Sequence, residues 1–121
     1  MTAVSGDSGR EAEERAARHL RGLGWEILAR NFRTRLGEID IVALSPDRAT
    51  VVFAEVRFRS RADYGTPEES VVPAKRRKIV RAAQIYLQTA PAAARAASAR
   101  FDVIAVTPQE LRHVENAFEA L

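Results

Sequence analysis

The spacing of apolar residues divides the chain into helical and extended stretches. Ala12, Ala16, Ala17, Leu20 and Leu23 recur at intervals of three and four, which puts them on one stripe of a helix. Ser8-Gly9-Arg10-Glu11 matches a capping box, so this helix is expected to start at Ser8, with Gly24 ending it. Residues 1–7, small and polar, are expected to be disordered. Trp25 to Arg35 reads as a strand, with Ile27 and Ala29 on one face and Leu28 and Phe32 on the other. Gly37 to Leu44 predicts a second strand, in which Glu38, Asp40 and Val42 oppose Ile39, Ile41 and Ala43. Turn residues follow at Ser45-Pro46-Asp47-Arg48, and Thr50 to Arg59 predicts a third strand that returns antiparallel beside the second. On it Val51, Phe53, Glu55 and Arg57 share a face.

Ser60 to Val72 contains Gly65 and Pro67 and has no period, as in a loop able to approach a ligand. Pro73 fits the first position of a helix that runs to about Thr89. Ile79, Val80, Ala83, Tyr86 and Leu87 should pack inward, with Lys75, Arg76, Arg77, Lys78 and Arg81 mostly outward. Residues 89–99 read as a connector, Phe101 to Val106 as a buried strand, and Leu111 to Phe118 as a short strand or turn. The order αβββαβ predicts an α/β domain: an antiparallel three-stranded unit extended by a later strand, with a helix on each face.

At 121 residues the chain fits one domain, 1–121, and 46% apolar with 29% charged residues is a globular balance. No apolar run approaches the roughly 18 residues of a membrane span, so no membrane partner is expected. The first residues lack the basic start and apolar stretch of a secretory signal, which makes the cytoplasm the default expectation. With no cysteine and only His19 and His113, any metal must sit on carboxylates, which favours Mg²⁺ or Mn²⁺.

Net charge is only +3, but the cations cluster: Arg30, Arg33 and Arg35; Arg57, Arg59 and Arg61; then Lys75 to Lys78 with Arg81. Clustering matters more to a polyanion than the total. A solvated helix face fits the last cluster as well as phosphate binding does.

The candidate chemistry lies in Asp40 and Glu55-Val56-Arg57 on two adjacent strands. Neighbouring strands lie about 4.8 Å apart, so the two carboxylates can converge on one divalent cation, with the Val56 carbonyl as a further oxygen ligand. Exposed strand acids balanced by nearby arginines are the alternative reading. Glu13 falls on the apolar stripe of the first helix, where a carboxylate needs a partner or a metal. His113 and Asn116 read as structural hydrogen-bonders, His19 as a surface residue, Trp25 and Tyr86 as core, and Asp102 as a cap or the partner of an arginine.

These residues, together with Arg30-Asn31-Phe32-Arg33, Gly37-Glu38-Ile39-Asp40, Phe53-Ala54-Glu55-Val56, Gly65-Thr66-Pro67, Tyr86-Leu87, Arg100-Phe101-Asp102-Val103, His113 and Asn116-Ala117-Phe118, resemble the bacterial YraN-like family of uncharacterised proteins, also called UPF0102. The resemblance covers nearly the whole chain. It implies a restriction-endonuclease-like core, similar to Holliday-junction resolvases, and metal-dependent cleavage of DNA, including branched DNA. Carried over by position, it makes Asp40 and Glu55 the metal ligands and Glu13 a third carboxylate near them. It puts Arg57 where the family has lysine. Arginine holds its proton too tightly to shuttle it, which predicts cleavage slower than in a lysine-bearing relative, or none. Arg33, Arg35, Arg59, Arg61, Lys75, Arg76, Arg77 and Lys78 are the expected nucleic-acid contacts. Resolvases act as symmetric dimers, so a homodimer is a further implication.

Overall fold

The computed structural model describes residues 5–60 and 65–120, with only the backbone of residues 5–7. Five strands, β1 (Glu26–Arg33), β2 (Glu38–Leu44), β3 (Thr50–Phe58), β4 (Ser98–Val106) and β5 (Leu111–Phe118), form one mixed sheet in chain order. The first three are antiparallel, β4 runs parallel to β3, and β5 returns antiparallel. A parallel pair needs a long crossover. Here a 3₁₀ turn (Glu68–Ser70), α2 (Pro73–Gln88) and the short α3 (Ala92–Ala96) provide it, while α1 (Ser5–Gly22) precedes the sheet. The class is α/β, with helices on both faces as the sequence predicts. The order αβββαβ is extended by α3, where a connector was expected, and by β5 as a full strand. Buried Ala90 and Ala94 anchor α3, a signal hidden in an alanine-rich stretch.

Helix α1 begins at Ser5, so residues 5–7 are helical and the Ser8 box lies inside the helix. Extending a helix that packing already holds costs little, and one more turn forms upstream of the capping signature. Residues 1–4 lie outside the described residues. At the other end the Trp25 N–H donates to the Leu20 carbonyl (3.0 Å) and the Gly24 N–H to that of Arg21 (2.9 Å). This pair of bonds requires the left-handed backbone of Gly24, φ 90°.

Two apolar layers hold the sheet. Ala12, Ala16, Ala17 and Leu20 of α1 pack on Ile41, Ala43, Val52, Ala54, Ile104 and Val106. On the other face Ile79, Ala82, Ala83 and Tyr86 of α2 meet Ile39, Val42, Leu44, Val51, Phe53 and Phe101. Two positions break the expected alternation. Ala29 joins Leu28 on the α2 side because β1 is bulged between Ile27 and Ala29. Ile39 also faces α2: Arg30 pairs with Ile41 and Phe32 with Ile39, but the step between them, Asn31 to Asp40, is missing from the ladder, and Asn31 has φ 53°. The kink falls at Asp40.

Candidate active site

The β2–β3 register pairs Val42 with Phe53 and Ile41 with Ala54, and one step further brings Asp40 opposite Glu55. At that step the Asp40 side chain replaces a backbone partner: Oδ2 accepts the Val56 N–H at 2.8 Å. The N–H and C=O of one strand residue point toward the same neighbour, so the Val56 carbonyl also lies on the Asp40 side of β3.

Glu55 is buried (5% exposed) and its Oε2 faces two cations, Arg57 Nη1 at 3.5 Å and Lys75 Nζ at 3.8 Å. Asp40 is half-buried, and its pKa is raised from 3.8 to about 7. Burial is the largest cause and the neighbouring Glu55 charge the next; the bond from Val56 works in the opposite direction, and the charge of Glu13 adds a smaller upward push. The negative charge gathered around Asp40 is one that a divalent cation would neutralise. Half-buried Glu13 on α1 thus bears on the same point, as its place on the helix stripe predicts.

Among the described residues no three acidic or imidazole side chains converge to cage an ion unaided. The donor set nevertheless fits a hard cation, because Mg²⁺ and Mn²⁺ are commonly held by one or two carboxylates and keep several waters. Asp40 and Glu55 would hold it, with the Val56 carbonyl on the same side.

The structure sorts the expected nucleic-acid contacts by their surroundings. Arg33, Arg35, Arg77 and Lys78 are exposed. Arg59 and Arg76 are engaged by backbone: Arg59 donates to the carbonyls of Gly65 and Thr66 (3.1 Å each), and Arg76 to those of Val71 (2.7 Å) and Glu68 (2.8 Å) while lying over Phe118. Both guanidiniums order the Gly65–Val71 segment. Arg61 lies outside the described residues. Lys75 and Arg76 are half-buried rather than outward, because α2 docks with its first turn against the edge of the site.

Residues read separately in the sequence, Asp102 as an arginine's partner and His113 and Asn116 as structural hydrogen-bonders, come together as a second polar cluster on the α1 face. Asp102, fully buried, receives a two-pronged contact from Arg100 (2.9 Å to each oxygen), His113 Nε2 at 2.7 Å and the Asn116 N–H at 3.0 Å. Burial pushes its carboxyl up, but these bonds outweigh it and hold the pKa below 3.8. His113 Nδ1 meets His19 Nε2 at 3.0 Å, so His19 is a half-buried bonded residue and not a surface one. Trp25 lies under Arg100, and Tyr86 is core as expected. Chain separation hid the histidine pair, since its members are 94 residues apart.

The family model described as "Uncharacterised protein family UPF0102" matches residues 12–106. Among similar curated proteins, a UPF0102 protein of Persephonella marina is 43% identical over 92% of this chain and 92% of its own length. Those of Cupriavidus taiwanensis and Dechloromonas aromatica are each 46% identical over 93% of this chain, and 82% and 88% of their own lengths. No helix among the described residues is long and apolar enough to cross a membrane.

Proposed function

Because the chain belongs to the uncharacterised protein family UPF0102, and because it opposes two acids at the end of a mixed sheet, we propose that it is a metal-dependent endonuclease that hydrolyses phosphodiesters in DNA, branched DNA included. The observation that carries the reading is the meeting of two acids at one point, Asp40 held by the Val56 N–H and Glu55 facing Arg57 and Lys75. A bound Mg²⁺ or Mn²⁺ would polarise the phosphoryl oxygen and lower the pKa of an attacking water.

The protein's own residues do the rest. Asp40 is fixed by the Val56 N–H, so its second oxygen keeps one orientation. The Arg57 fork is 40% exposed beside Glu55 and can grip a phosphate through two parallel hydrogen bonds. Arg33, Arg35, Arg77 and Lys78 offer exposed positive charge to the flanking backbone. A homodimer would allow two strands to be cut, and its test is the mass in solution.

One observation favours a second reading, a nucleic-acid-binding module with little or no turnover: position 57 is arginine. The test incubates linear, nicked and four-way-junction DNA with Mg²⁺ or Mn²⁺. Scission by the wild type that Asp40→Ala abolishes supports the nuclease; salt-dependent binding without scission supports the module.

A further inference from the structure

Position 57 carries a guanidinium, yet an ammonium reaches the same carboxylate from another element. Lys75 occupies the third residue of α2, after Val72 as N-cap and Pro73 at the first position, and its Nζ lies 3.8 Å from Glu55 Oε2. That oxygen is also the one Arg57 faces at 3.5 Å. The strand cation and the helix cation therefore approach one buried acid from two directions.

Helix α2 gives no reason of its own for a lysine here. The first turn of a helix carries partial positive charge and favours acids, whereas α2 has no acidic residue in that turn and no side-chain cap at Val72. A lysine there works against the helix, and Glu55 is the anion it faces. With 35% of its side chain exposed, it is neither sealed in nor free in solvent.

We infer that Lys75 supplies the site's ammonium, while Arg57 serves as the phosphate clamp. This rests on the nuclease reading. The two cations divide the work by their chemistry. An ammonium is a compact charge with three rotatable donors that can hold a water and follow developing charge, whereas the guanidinium is a planar fork matched to phosphate oxygens. The slow cleavage expected from Arg57 alone then no longer follows, because the site has an ammonium whichever residue stands at 57.

The test compares wild type, Lys75→Gln and Lys75→Arg. Each is assayed for Mn²⁺-dependent cleavage of linear and four-way-junction DNA, and Mn²⁺ binding is read separately by thermal shift. Lys75→Gln should lose about a hundredfold in rate, the usual cost of one electrostatic donor. Lys75→Arg should not restore it although an ion pair to Glu55 is retained. The Mn²⁺ shift should persist in all three. An unchanged rate in Lys75→Gln, full rescue by Lys75→Arg, or loss of the Mn²⁺ shift together with the rate overturns the assignment, while cleavage by the wild type keeps the nuclease reading. Absence of any metal-dependent cleavage by the wild type overturns both.

Discussion

Replacing Asp40 with asparagine should stabilise the metal-free protein at neutral and alkaline pH, although it removes a central residue of the site. Asparagine can still accept the Val56 N–H and can donate to Glu55, as protonated Asp40 does, but it never ionises. The folded pKa of Asp40, about 7, lies above the unfolded value of 3.8. Between these values the native state binds the extra proton, so stability is fully present below about pH 4 and is lost as pH rises to about 7. At about 1.4 kcal/mol per unit, the full gap of about three units corresponds to about 4 kcal/mol. Between about pH 5 and pH 8 the wild type should lose about 3 kcal/mol relative to Asp40→Asn. Urea unfolding in EDTA at a series of pH values measures both proteins. Parallel curves, or a wild type that gains on the variant as pH rises, would refute the reasoning.

Other perturbations test the frame around the site. A Cβ at Gly37 would lie 2.3 Å from the Lys78 carbonyl oxygen, so Gly37→Ala must push α2 from the β1–β2 turn; a loss of about 1–3 kcal/mol by urea unfolding is expected. Asp102→Asn leaves Arg100 and the Asn116 N–H without their anion and should cost about 3 kcal/mol at neutral pH. Its folded pKa is depressed, so that stability is present above the unfolded pKa and fades as pH falls through the folded one, and the gap to wild type should close in acid. Reversing exposed charge with Arg77→Glu and Lys78→Glu should weaken DNA binding and flatten its dependence on salt, as a filter-binding titration would show.

The approach of Asp40 to Glu55 was legible because period-two alternation puts Glu55 on a defined face and the Ser45–Arg48 turn sets an antiparallel return that carries Asp40 past it. Glu13 was legible because a carboxylate interrupted an apolar stripe. Local irregularity concealed Ala29 and Ile39, since a bulge and a left-handed asparagine shift faces without changing the apolar pattern. Lys75 was hidden for a different reason. Within a run of four cations, nothing local distinguishes the one that docking turns toward a buried acid 20 positions upstream. His19 and His113 likewise meet only because α1 and β5 pack together.

The claim on which the rest depends is that Asp40 and Glu55 share one divalent ion. Isothermal titration of Mn²⁺ into wild type, Asp40→Asn and Glu55→Gln at about neutral pH measures it, run in buffers of different ionisation enthalpy to count protons. The expected result is one saturable ion in the wild type, bound with release of part of a proton, and no binding in either variant. Equal Mn²⁺ affinity in all three proteins contradicts it.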